Sequence, residues 1–185
     1  LRLFIALLLS EEVQDEVMGA TAALRDSQLP VRWVGREALH LTLKFLGDCP
    51  RRTLPELERA VADAAAKTPP FDLHIGGLGA FPSLRNPRTL WLGVEATPPL
   101  RCLKQDIEWA LSPLGFERET RAFQPHLTIG RAESKAQAGD FRELEGFLQS
   151  LDYEAKIEVS DVHLVRSHLS PSGAKYERIA TLPLG

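Results

Sequence analysis

Cysteine is scarce: Cys49 and Cys102 are the only two in 185 residues. They form no CxxC pair, which argues against a zinc ribbon or a thioredoxin-type redox motif and makes a reducing cytoplasm the expected setting. Methionine occurs once, at Met18, and the chain opens on Leu1, so the natural start is expected a residue or more upstream. An excess of positive charge is also missing, because 22 Lys and Arg face 25 Asp and Glu for a formal net charge of −3. That balance is wrong for a protein that tracks along nucleic acid by neutralising many phosphates, so any RNA partner should be held locally, at an end. No apolar run is long enough to cross a bilayer. LRLFIALLLS is short, lacks a small-residue cleavage site and runs directly into SEEVQDEV, which reads as a buried first strand rather than a signal peptide. Low-complexity linkers and solenoid-period repeats are absent too, and residues 1–185 are expected to form one unit.

What is there is a globular composition, 44% hydrophobic and 25% charged. Strands and helices alternate along it. Leu1 to Leu9 reads as a strand, and Ser10 with Glu11 and Glu12 signals a helix start carried on by Val13, Val17, Ala20 and Leu24. After Pro30, residues 31–34 and 39–46 read as strands. In the second, Leu39, Leu41, Leu43 and Phe45 fall on one face and His40, Thr42 and Lys44 on the other. Leu54 to Ala65 is an amphipathic helix, 71–78 and 89–94 are strands around a Gly/Pro-rich loop, and 98–114 is a third helix. The remainder reads as a helix over 140–151, one alternating strand over 153–165, a loop SHLSPSGAK and a last strand over 176–182.

One short self-similarity stands out: HLTL at 40–43 recurs as HLTI at 126–129. Five histidines placed at random among the threonines would give only about 0.2 His-x-Thr triplets. In a strand, residues i and i+2 share a face, so each tetrapeptide presents an imidazole beside a hydroxyl while its aliphatics anchor the strand. Taken singly, each fits an ordinary strand histidine. Brought together by a pseudo-twofold, the pair would supply what hydrolysis of a strained cyclic phosphodiester needs: a neutral imidazole to accept a proton from water, a protonated one to serve the leaving oxygen, and hydroxyls for the non-bridging oxygens. Neither tetrapeptide has the close second ligand of a zinc site, so no metal and no cofactor is expected. Arg131 would add charge for a phosphate, provided the strand ends or bulges near Gly130; otherwise it is a solvated arginine on the opposite face. His74 and His163 read as structural or solvent-facing, and His168 as part of a polar loop.

The sequence resembles the two-histidine phosphoesterases, specifically the RNA 2′,3′-cyclic phosphodiesterases also called 2′-5′ RNA ligases. The resemblance rests on RLFIAL, WVGREALHLTLKFLGD, FPSLRNPRTLWLGV, FQPHLTIGR and VRSHLSPSGAKYERIATLPL, in the family order. It implies an α+β fold of two antiparallel sheets with outer helices, related by a pseudo-twofold around a cleft. It implies His40 as proton donor, His126 as proton acceptor, Thr42 and Thr128 as phosphate-holding residues and a 2′-phosphomonoester product. The expected partner is an RNA or oligonucleotide end bearing a 2′,3′-cyclic phosphate, met by a monomer with no membrane association. ATP-independent joining of such an end to a 5′-hydroxyl is the reverse reaction. Two alternatives remain: a non-catalytic module that binds RNA ends or nucleotides, and a phosphodiesterase for small cyclic nucleotides. Phe45, Phe123 and Tyr176 are candidates to stack on a base.

Overall fold

The computed structural model describes residues 1–185. Its strands are β1 (Arg2–Leu8), β2 (Val31–Trp33), β3 (His40–Asp48), β4 (Phe71–Pro82), β5 (Pro87–Val94), β6 (His126–Ala132), β7 (Glu154–Val159), β8 (Asp161–Ser170) and β9 (Gly173–Pro183). The helices are α1 (Glu11–Ala20), α2 (Ala22–Arg25), α3 (Leu54–Ala65), α4 (Pro98–Leu111) and α5 (Leu144–Ser150). Local chemistry explains the starts: the Ser10 side chain accepts from the Val13 amide at the head of α1, and prolines open α3 and α4, where a missing N–H costs nothing.

Every pairing is antiparallel, in two arms of four strands: β3-β1-β8-β9 and β6-β5-β4-β7. The arms do not form separate sheets. Their inner strands, β3 and β6, meet at a single register pair, Leu41 with Leu127, and β2 continues along β6 beyond it. One face of this sheet carries Leu3, Ile5, Leu7, Leu41, Leu90, Leu92, Leu127 and Leu164 against Val13, Val17, Leu57, Val61, Leu100, Leu103 and Ile107 of the helices, in one cluster of 38 buried residues. Burial of this kind, at roughly 25 cal/mol per Å² of apolar surface, is the main force holding both arms to the helix layer. The other face carries the histidine and threonine side chains of both tetrapeptides.

Several elements differ from the sequence expectation. The Gly/Pro-rich loop shrinks to residues 83–86 as β4 and β5 lengthen on either side. The expected strand over 153–165 is two strands in different arms, because the chain crosses over at Ser160: β7 pairs with β4, whereas β8 pairs with β1 and β9. A phase change marks the crossing, since Val159 is buried on the odd positions but Val162 and Leu164 on the even ones. SHLSPSGAK is mostly strand, the tip of the β8–β9 hairpin, where Gly173 takes a positive φ of 116°.

Candidate active site

Both inner strands carry the same irregularity just after their histidine motif. Along β3, Thr42 pairs with Ala6 but Lys44 pairs with Ile5, so Leu43 is an extra, bulged residue. Along β6, Thr128 pairs with Trp91 but Gly130 pairs with Leu90, so Ile129 is bulged in the same way. Each bulge turns two successive residues toward the helices and reverses the facing of the residues beyond it. Lys44, expected on the histidine face, is 3% exposed beneath the sheet, and Phe45, expected in the core, is 66% exposed on the histidine face. In β6 the same shift brings Arg131 onto the face of His126 and Thr128, as a contact with the same phosphate requires.

Around the Leu41–Leu127 pair, antiparallel polarity sets Thr42 across from His126 and His40 across from Thr128, so the four form adjoining rungs on one face. Each imidazole is anchored alike. His40 Nδ1 lies 2.7 Å from the Ala38 carbonyl and His126 Nδ1 lies 2.8 Å from the Gln124 carbonyl. A carbonyl only accepts, so each Nδ1 carries the proton and each Nε2 is left for chemistry. His40 Nε2 is 2.9 Å from the Thr42 hydroxyl, which donates to it while the ring is neutral.

Aromatic rings support both histidines, and of the four only Tyr176 is singled out by sequence alone. His40 lies 4.9 Å from the Phe4 ring and 5.0 Å, edge-on, from Tyr176. His126 lies 5.0 Å, edge-on, from Phe81 and 6.1 Å from Trp91. Phe81 and Trp91 sit in the FPSLRNPRTLWLGV block, where only the β4–β5 register reveals that they face the histidines. Trp91 covers Gly79 so closely that a Cβ there would fall 2.1 Å from the indole, which is why glycine occupies that position. Burial lowers the His40 pKa, the Ala38 hydrogen bond opposes that, and the charges of Arg131 and His126 add to the lowering. The free protein therefore favours neutral His40.

The other named residues divide. Phe45 and Tyr176 share the histidine face, each within 6.0 Å of the Phe4 ring. Phe123 does not: it packs against the core, with the Lys104 ammonium 5.4 Å from its ring. His163 is buried on the histidine face next to Ala6, within 3.4 Å of the Thr181 hydroxyl. His168 is on the opposite face, paired with Glu177 at 2.6 Å. His74 is exposed in β4. No group of three or more His, Cys, Asp or Glu side chains is close enough to hold a metal ion.

Beneath the site lies a buried ionic cluster that no sequence pattern announces. Lys44 donates to Glu108 at 2.6 Å and to the Glu117 carbonyl at 2.9 Å, while Lys104 donates to the same Glu108 at 2.8 Å and to the Leu43 carbonyl. Burial disfavours ionised Glu108, but the hydrogen bonds from Lys104 and Lys44 outweigh it and hold the carboxyl below its ordinary pKa. The cluster ties α4 to the bulge at Leu43, and so to the phase of β3.

Comparison with known proteins agrees with this arrangement. The family pattern described as the 2'-5' RNA ligase superfamily matches residues 11–171. An RNA 2',3'-cyclic phosphodiesterase of Methanothermobacter thermautotrophicus is 36% identical over 175 residues, covering 95% of this chain and 94% of that protein. A Geobacillus stearothermophilus protein of the same name is 36% identical over 98% of this chain, which spans 56% of that protein's length. A crystal structure of a Thermus thermophilus protein superposes with a TM-score of 0.80 at 28% identity, covering 100% of this chain and 98% of that one.

Proposed function

Because the chain belongs to the 2'-5' RNA ligase superfamily, we propose that it hydrolyses 2′,3′-cyclic phosphodiester ends of RNA to 2′-phosphomonoesters, without a metal or cofactor. The observation that carries this reading is the matched pair of imidazoles, each with Nδ1 tied to the carbonyl two residues before it so that Nε2 is the reacting nitrogen, with the Thr42 hydroxyl beside that of His40. His126 Nε2 takes a proton from water as the water oxygen bonds to phosphorus. The bond from phosphorus to the ribose 3′ oxygen breaks, and His40 Nε2 delivers its proton to that oxygen. Thr42 and Thr128 hydrogen-bond the non-bridging oxygens, where charge accumulates in the transition state, and Arg131 adds a cation. His40 must enter this step charged although the free protein favours the neutral ring. The substrate's phosphate anion supplies the missing counter-charge and raises the His40 pKa on binding.

Microscopic reversibility lets the same pair join a cyclic end to a 5′-hydroxyl, with the protonation states exchanged. Ring strain and abundant water favour hydrolysis. One bilobal unit over 1–185, acting as a monomer in the cytoplasm, belongs to the same proposal; both cysteines are free thiols, as a reducing compartment keeps them.

The test incubates the protein, His40→Ala and His126→Ala in EDTA with a short RNA ending in a 2′,3′-cyclic phosphate, and identifies the product. A 2′-phosphate from the intact protein alone is expected, with a bell-shaped pH dependence and a loss of about 100-fold or more in each variant. Binding without product would favour a recognition module, and turnover of cyclic mononucleotides alone would favour a small-molecule phosphodiesterase. Activity surviving both substitutions would overturn the two-histidine mechanism.

A further inference from the structure

The ladder that holds the histidines does not stop at His40 and Thr128. Beyond the β6 bulge the strand alongside is β2, and its Arg32 is the direct register partner of Arg131. Partners across an antiparallel pair project to the same side, and Thr89, Trp91 and Gly93 of β5 place Arg131, Thr128 and His126 on one face. Successive rungs therefore read Thr42 with His126, His40 with Thr128, then Arg32 with Arg131.

Both arginines are exposed, and neither belongs to any of the salt bridges in the structure. Two like charges directly opposed across strands are destabilising. In a chain with a net charge of −3, such a pair without a carboxylate is a local feature and not part of a basic surface. The placement is also held firmly. Val31 and Trp33 turn to the other side of β2 and fill the space above Gly130, where a Cβ would lie 2.6 Å from Val31 and 2.8 Å from Trp33. The Val34 amide donates to the Ile129 carbonyl at 2.9 Å, and the Arg25 guanidinium donates to the Val34 carbonyl at 2.6 Å.

We propose that Arg32, beside Arg131 on the reacting phosphate, takes the internucleotide phosphate next to the cyclic end and makes the protein select oligonucleotides over mononucleotides. The proposal rests on the phosphodiesterase reading above. Across the bulge, Thr128 and Arg131 pair with Trp91 and Thr89, two positions apart on β5, so the arginine rung lies roughly 7 Å along the sheet from Thr128. That offset, together with its place on β2 rather than β6, leaves Arg32 beyond the reacting phosphate, toward the neighbouring phosphate of a bound strand. A planar guanidinium fork matches a phosphodiester's two free oxygens.

Arg32→Ala and Arg32→Gln decide it, assayed on a 2′,3′-cyclic mononucleotide and on a trinucleotide with the same cyclic end. The ratio of kcat/KM for trinucleotide over mononucleotide is expected to fall about tenfold or more, as the loss of one charged contact implies. The salt dependence of the trinucleotide reaction is expected to become shallower by about 0.7 in log–log slope. Equal losses on both substrates would overturn the proposal by assigning Arg32 to the scissile phosphate, and no loss on either would make it a solvated side chain. If the intact protein hydrolyses neither substrate, the phosphodiesterase reading fails by itself. The affinity of a labelled trinucleotide 3′-phosphate for the intact and Arg32→Ala proteins then decides the phosphate site, with weaker binding by the variant supporting it and equal binding refuting it.

Discussion

His40 and His126 have the same anchor and different surroundings. The first is enclosed by Phe4 and Tyr176, with its Nε2 already engaged by Thr42; the second meets Phe81 and Trp91 and has no side chain on its Nε2. The two tetrapeptides are too alike to say which ring gives the proton, so the roles need a probe of the leaving group alone. Replacing the bridging 3′ oxygen of the cyclic end with sulfur makes a leaving thiolate that departs without a proton. With His40 as the donor, His40→Ala is expected to recover at least about 100-fold on the sulfur substrate, the size of the acid contribution it lost, while His126→Ala stays inactive. Recovery of His126→Ala instead would reverse the assignment. The depressed His40 pKa adds a sign to the pH profile. Bound phosphate raises that pKa, so the basic limb of kcat should lie at higher pH than the basic limb of kcat/KM, which reports the free protein.

At the scale of strands, the paired bulges decide which side chains meet the substrate. Gly130 is where the β6 bulge is most exposed to change, because Val31 and Trp33 occupy the volume a side chain would need. Gly130→Val is expected to destabilise the protein by about 1–3 kcal/mol in denaturant unfolding, the usual range for overpacking. In the fraction that folds, it should also weaken the contribution of Arg131, seen as a raised KM. Unchanged stability together with an unchanged KM would show that β2 yields freely and that the bulge is not fixed by this contact. The histidine and threonine positions are legible in the sequence because strand alternation holds from His40 to Leu43 and from His126 to Ile129. Alternation alone puts Phe45 and Lys44 on the wrong faces because a bulge is a mismatch between two strands, and no one strand's sequence records its partner's register. Arg32 escapes notice for the same reason: nothing near VRW links it to Arg131, which lies 99 positions away in sequence. The crossing at Ser160 is different. Val162 and Leu164 break the odd-numbered apolar phase of 153–159, so that signal is present in the sequence.

For the molecule as a whole, one sheet separates an apolar layer from a polar one, and the polar face still buries ionisable groups. His40 and His163 both have pKa values lowered chiefly by burial; at His163 the Arg178 charge adds to the lowering and Asp161 opposes it. The folded state therefore binds fewer protons than the unfolded chain in the range between the lowered values and about 6.5, the ordinary histidine pKa. Where the unfolded chain binds more protons, stability rises with pH. These two groups thus leave the fold at full stability above about 6.5 and weaken it as pH falls through that value. Glu108, held below its ordinary value by Lys104 and Lys44, does not titrate in this window. Thermal unfolding at pH 7.5 and 5.5 is expected to show a lower Tm at the acidic end. His163→Gln, which keeps a polar partner for Thr181 and removes one titrating group, should narrow that difference while leaving His40 in place. A Tm that holds or rises on acidification would mean that both rings accept a proton within the fold, and the neutral resting state assigned to His40 would have to be abandoned.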